Sequence, residues 1–211
     1  MKKASSCIKY NIPFGVYLYS YAKSINAAKS EAQHVLRLIE PYKGKLSYPV
    51  YYDLEEKGTE KGAVNRAIVF GDLVEKSGYW CGIYANEYWW KTYLKGDLNR
   101  FTKWVAKYSG KKPSEISGRY DMWQYTSKGK IPGINGTVDV NICYRDFPTE
   151  ICRKSVNMTA KKSIFEIAKE VIGGKWGNGT DRKKRLTSAG YDYTEVQKEV
   201  NRILKGKDLK V

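Results

Sequence analysis

Histidine is almost missing from this sequence: there is one, His34, in 211 residues. Chemistry that needs a histidine base beside a serine or cysteine nucleophile would rest on that side chain alone, and it lies inside a helical pattern. Cysteine is scarce as well. Cys7, Cys81, Cys143 and Cys152 stand far apart with no CxxC pair, which argues against a zinc site, and a disulfide framework is not expected in a chain this long. Reduced structural thiols are the expectation. No apolar run is long enough to span a bilayer. The opening MKKASSCIKYNIPFG is basic, but Ser5, Ser6, Lys9 and Asn11 interrupt any apolar core, so no signal peptide is read. Acidic residues are few beside basic ones, 22 against 38, for a net charge of +16.

That positive charge is uneven. The first 150 residues carry 23 basic and 15 acidic side chains, whereas the remaining 61 carry 15 and 7, so the excess is far denser in the tail. Such a balance implies a polyanion as partner: nucleic acid, a membrane surface or an anionic cell wall. No helix-turn-helix, RNP or zinc-finger pattern accompanies the charge, which ranks nucleic acid last. Hydrophobic residues make up 42% and aromatic residues 14%, enough to bury a core.

With histidine and cysteine set aside, carboxylates remain as acid–base groups. The segment SYPVYYDLEEKG (47–58) is the most suggestive, because Asp53 and Glu55 project from one face of a strand end with Leu54 on the other. Two carboxyl groups that close shift each other's pKa values apart and so can supply one acid and one base. A solvated strand end running into a charged loop is the competing reading.

Strand-like and helical runs alternate. FGVYLYSYA (14–22), YPVYYDLE (48–55), YWCGIYAN (79–86), FTKWVAKY (101–108), YDMWQYT (120–126) and TVDVNIC (137–143) read as strands, with helices around 26–40, 62–77 and 87–94. The alternation argues for a parallel α/β architecture. In a (β/α)8 barrel the active site gathers at the C-terminal strand ends, where Asp53, Glu55, Asn86, Gln124 and Asp139 fall. Six strands do not close such a barrel. The fold class expected is therefore α/β, an incomplete (β/α)8-type barrel followed by a small all-α three-helix module. Residues 151–162 read as a linker. Beyond them come helices from Ile164 to Val171, from Asp181 to Ala189 with Thr180 as N-cap and Gly190 as C′ glycine, and one opened by DYTE (192–195).

GVYLYSYA, PVYYDLE, GIYAN, DMWQYT and GTVDVN, in this order, resemble the glycoside hydrolase family 25 muramidases. IAKEVIGGKWGNGTDRKKRLTSAGYDYTEVQKEVN resembles the CW_7 cell-wall-binding repeat. The resemblance implies a catalytic domain over 1–150, a wall-binding module over 163–206, and cleavage of peptidoglycan between N-acetylmuramic acid and N-acetylglucosamine. It implies Glu55 as general acid, with Asp53 and Asp139 as the accompanying carboxylates, and no cofactor or metal. Aromatic faces suit sugar rings, so Tyr19, Tyr21, Tyr52, Tyr84, Trp123 and Tyr125 are placed for substrate, and Gln124 for a sugar amide or for orienting a carboxylate. In the tail, Trp176, Asn178, Gly179 and Arg182 are the implied wall-binding residues, while Lys183, Lys184 and Arg185 read as a solvated basic face. The implied site of action is the bacterial cell wall, without membrane insertion, after synthesis in the cytoplasm and release by a holin or otherwise. One departure stands out. NIPFGVYLYSYA resembles the family's third strand, no strand with an Asp-Val-Ser motif is found, and no Asp precedes Asp53. The sequence therefore predicts an open barrel edge at strand 14–21, and leaves two readings: a muramidase, or an inactive peptidoglycan-binding fragment targeted by its tail.

Overall fold

The computed structural model describes residues 2–114, 116, 118–152 and 162–207. The chain divides into two compact units, Met1–Lys154 and Ser155–Val211. Most of the expected linker, 153–161, lies outside the described residues.

The first unit is built on a curled six-stranded sheet in the simple order β1 (Val16–Tyr19), β2 (Val50–Asp53), β3 (Cys81–Asn86), β4 (Thr102–Ala106), β5 (Met122–Gly129) and β6 (Val138–Cys143). Five strands run parallel, and β6 returns antiparallel against β5 with register shifts between Gln124 and Gly129. That last pairing departs from the all-parallel pattern, since a short connection can only return a strand antiparallel to its neighbour. Among the described residues β1 hydrogen-bonds in the sheet to β2 alone, so the sheet is an open half-barrel.

Helices cover one face. α1 (Lys2–Lys9) precedes the sheet, α2 (Ile25–Ile39) follows β1, α3 (Ala63–Lys76) follows β2 and α4 (Glu87–Thr92) follows β3. The Ser24 side chain caps α2 by accepting from the Ala27 amide at 3.2 Å. At the other end, Pro41 tightens the chain into a 3-10 turn, Glu40–Tyr42. Strand alternation sends Val50, Tyr52, Leu54, Ile83, Ala85 and Val105 to the helix side, where they pack with Ala32, Val35, Ile39, Phe70 and Val74. The opposite, inner face holds a second cluster of Tyr51, Tyr84, Ala106 and Met122 around Phe147, which belongs to a short helical stretch at 147–152. Gly82 is required there: a Cβ would sit 2.2 Å from the Tyr51 ring and 2.4 Å from the Thr102 hydroxyl.

The thiols only partly follow expectation. All four are free; Cys81 is buried in the core, but Cys143 and Cys152 are exposed and so are not structural by burial.

The second unit contains α5 (Ile164–Ile172), α6 (Gly179–Ser188) and α7 (Tyr193–Lys207) around Ile167, Ala168, Val171, Leu186, Val196 and Val200. Ser163 and Glu166 form a reciprocal capping box on α5. The cap of α6 is Asn178, not Thr180, which lies inside the helix; Gly179, at φ 55°, lets the chain turn into the helix one residue earlier. Gly190, at φ 76°, follows the C-terminus of α6 as expected.

Candidate active site

Asp53 ends β2, and the ladder continues one residue beyond it through a Leu54 N–H to Tyr84 carbonyl bond of 2.9 Å. Alternation therefore persists to Glu55, and both carboxyl groups belong to the inner face while Leu54 is buried among the helices. Asp53 is only 6% exposed and its Oδ1 is buried with no hydrogen-bond partner. Burial first, and the Glu55 charge second, push its carboxyl from an ordinary 3.8 up to about 8. Glu55 is half-buried; burial, then the charge of Asp139, raise its pKa as well. Burial thus outweighs the mutual repulsion expected from the sequence.

Asp139 comes from β6. Asn141, two residues on, accepts from the Trp104 indole N–H at 2.8 Å, which fixes that strand's inner face. Three carboxyl groups from β2 and β6 thus act on one another: Glu55 on Asp53, and Asp139 on Glu55. Among the described residues no group of three or more His, Cys, Asp or Glu is arranged to hold a metal ion.

Tyrosines surround the carboxyls. Tyr84 donates to Gln124 Oε1 at 2.9 Å, and Tyr108 donates to the same oxygen. Burial and the Glu55 charge hold the Tyr84 hydroxyl protonated far above its ordinary range. Tyr19 donates to Glu56 at 2.9 Å, and its ring lies 5.0 Å from that of Tyr21, which is 67% exposed. Tyr108 was not singled out from sequence. It lies two residues beyond Ala106, on the same face by alternation, so the signal was present in WVAKY.

Other sequence-selected residues lie elsewhere. Trp123 falls on the face opposite Gln124, buried, with its indole N–H bonded to the Lys107 carbonyl at 2.9 Å. Tyr52 is fully buried on the helix side, stacked 3.9 Å over Phe70 and donating to Glu31 at 2.6 Å. Asn86 caps α4 through the Trp89 amide at 3.0 Å. Neither Trp123 nor Tyr52 can offer its ring to a sugar on the inner face. His34 contacts Arg37 on exposed α2, with no carboxyl of this group.

In the tail unit, Trp176 is half-buried, donates to Glu170 at 3.0 Å and meets Tyr191 edge-on at 6.0 Å. Arg182 fastens the turn before α6, donating to the Gly177 carbonyl at 2.9 Å and to Asn178 Oδ1 at 2.8 Å. These residues therefore shape one turn, with Gly177 at φ 69° and Gly179 at φ 55°.

An open α/β half-barrel with interacting carboxyl groups on its inner face is the class that fold and site define. Residues 2–134 match the model of glycosyl hydrolases family 25, and residues 166–204 match the CW_7 repeat; the chain belongs to glycosyl hydrolases family 25. It is 32% identical over 127 residues to the uncharacterized protein YegX of Escherichia coli O157:H7, covering 59% of this chain and 46% of that one. It is 40% identical over 81 residues to the lysozyme of Streptococcus phage Cp-7, covering 38% of this chain and 21% of the phage protein. Among solved structures, the CTP1L endolysin superimposes with a TM-score of 0.62 at 25% identity, covering 71% of this chain and 54% of that chain. The chain thus spans about half the length, or less, of these three relatives.

Proposed function

We propose that the chain is a peptidoglycan hydrolase that cleaves the β-1,4 bond between N-acetylmuramic acid and N-acetylglucosamine. The observation that carries this reading is the Asp53–Glu55 pair at the end of β2, with the charge of Asp139 acting on Glu55. A glycosidic oxygen leaves readily only when it receives a proton, and a carboxylic acid whose pKa is raised retains that proton nearer neutral pH. Glu55 is the donor. As its proton passes to the leaving oxygen, the bond from that oxygen to the sugar's anomeric carbon breaks and positive charge develops on the ring. Asp139 opposes that charge. Water then adds at the anomeric carbon and its proton passes to the Glu55 carboxylate, which restores the acid. Asp53 keeps its own proton up to about pH 8 in the free protein, which fits it to donate a hydrogen bond rather than to supply charge.

Tyr19, Tyr21, Tyr84 and Gln124 border the carboxyls and contact the glycan in this reading, while Trp123 supports the strand from behind. Residues 1–150 act as the catalytic domain, and residues 163–206 hold the wall through Trp176, Asn178, Gly179 and Arg182. The place of action is the bacterial cell wall; among the described residues no helix is long and apolar enough to cross a membrane. The open edge of β1 favours a second reading, a wall-binding fragment without activity.

The two readings separate on purified Gram-positive peptidoglycan. A hydrolase releases new reducing ends, and Glu55→Gln lowers the rate by about 100-fold or more. No release by either form, with both sedimenting with the wall, leaves the binding fragment.

A further inference from the structure

Residues 54–62 connect β2 to α3, and Glu55 lies near their start. Where its carboxyl sits depends on what holds that connection. On the strand side, the Leu54 amide still bonds to the Tyr84 carbonyl at 2.9 Å, so Glu55 leaves the sheet from a fixed point. On the other side the chain folds back on itself. Thr59, 2% exposed, donates its N–H at 3.2 Å and its hydroxyl at 2.7 Å to the Glu56 carbonyl. Gly58 and Gly62, at φ 84° and 75°, supply the left-handed backbone of this fold-back. Tyr19 of β1 holds the Glu56 side chain at 2.9 Å.

Thr59 is held in turn by Arg66, near the start of α3. Arg66 is only 3% exposed. Its Nη2 donates to the Thr59 carbonyl and its Nη1 to the Lys61 carbonyl at 2.7 Å, while Nε is buried with no partner. Burying a guanidinium is costly, and an apolar side chain of similar volume would fill the space at less cost. What the planar fork adds is the ability to hold two carbonyls at once. Both carbonyls belong to the connection that carries Glu55.

We propose that Arg66 is a positioning residue for Glu55: its guanidinium locks the β2–α3 connection against α3, and Thr59 and Glu56 pass that constraint to the carboxyl. The inference rests on the hydrolase reading, in which Glu55 is the proton donor. Burial first, and the Asp139 charge second, raise the Glu55 pKa. A connection that loosens admits water to the carboxyl and lowers that pKa toward the ordinary glutamate value. The sign is diagnostic, because loss of the Arg66 charge acting directly on a carboxylate would raise it instead. The other groups that act electrostatically in this site are Asp53 of β2, Asp139 of β6, Tyr19 of β1, Tyr84 of β3 and Tyr108 beyond β4, with Glu56 and Lys57 beside Glu55 on the connection. None of them is altered in the variants below.

The test needs no lytic activity, so its failure is distinct from failure of the hydrolase reading. Carboxyl titration of the full chain by NMR, with glutamate 13C-labelled and the Glu55 signal assigned by its loss in Glu55→Gln, reads the pKa directly. Arg66→Met breaks the lock, and Thr59→Val removes the hydroxyl bond to Glu56 with no change of charge. Both should lower the Glu55 pKa, Arg66→Met by more, and in Arg66→Met the amide of Thr59 should exchange with solvent about tenfold faster or more. Gly71→Ala, which strains α3 against Phe101 away from the connection, should leave both readouts unchanged. A Glu55 pKa that is unchanged or raised in Arg66→Met and Thr59→Val, or lowered equally by Gly71→Ala, overturns the proposal.

Discussion

Replacing Asp53 by Asn should stabilise the protein, and more so as pH rises. The Asp53 carboxyl is 6% exposed, has an unpartnered oxygen, and is pushed from 3.8 to about 8 by burial and by Glu55. A folded-state pKa raised above the unfolded value means that the folded state binds the proton more tightly. Stability is then greatest below the unfolded pKa and falls between about pH 4 and pH 8, beyond which the loss is complete. At 1.36 kcal/mol per unit, a shift of about four units amounts to a penalty of about 5 kcal/mol at pH 9, but only about 1.5 kcal/mol at pH 5. Asparagine cannot ionise. Its buried amide costs about 1–3 kcal/mol where it lacks partners. The substitution should therefore be near neutral at pH 5 and stabilising by about 2–4 kcal/mol at pH 9, a gain of roughly 5–15 °C in melting temperature for a domain of this size. Thermal melts of both forms at pH 5, 7 and 9 measure it. A melting-temperature difference that stays constant across this range would refute the assignment of a buried, proton-holding carboxyl to Asp53.

The same geometry sets other outcomes. Gly71→Ala would place a Cβ 2.2 Å from the Phe101 ring, so the first unit should lose about 1–3 kcal/mol in urea unfolding. Tyr52→Phe removes the hydroxyl that Glu31 and Ser20 share, with bonds of 2.6 and 2.8 Å, and should cost about 1–3 kcal/mol in the same assay while leaving the inner face intact. Trp176→Phe keeps an aromatic ring but loses the indole bond to Glu170, so it should lower the stability of the tail unit by about 1 kcal/mol or less and weaken wall sedimentation; sedimentation that is unchanged would remove the indole from the wall contact.

Much of the site was legible because a strand's period of two is rigid. Asp53 with Glu55, Tyr19 with Tyr21, and Asn141 with the inner face all follow from it. The same period places Tyr52 with Leu54 and Trp123 opposite Gln124, away from any sugar, so aromatic type without parity is a poor guide to the inner face. Other features could not be read locally. The antiparallel return of β6 depends on which strand is its neighbour in space. In GNGTD three residues can start a helix, and the left-handed backbone at Gly179 chose Asn178 as cap. Helix α1 has too polar a sequence to announce itself, with Ser5, Ser6 and three lysines in eight residues. Arg66 reads as an ordinary helix-surface cation, yet it is buried, its guanidinium held by the Thr59 and Lys61 carbonyls of the connection that folds back over it.

Identity of the newly made sugar end tests the central claim most directly. Peptidoglycan digested by the full chain, reduced with borohydride and examined by mass spectrometry should yield reduced N-acetylmuramic acid ends, and none with Glu55→Gln. Reduced N-acetylglucosamine ends, or muramic ends undiminished in Glu55→Gln, would contradict a muramidase built on Glu55.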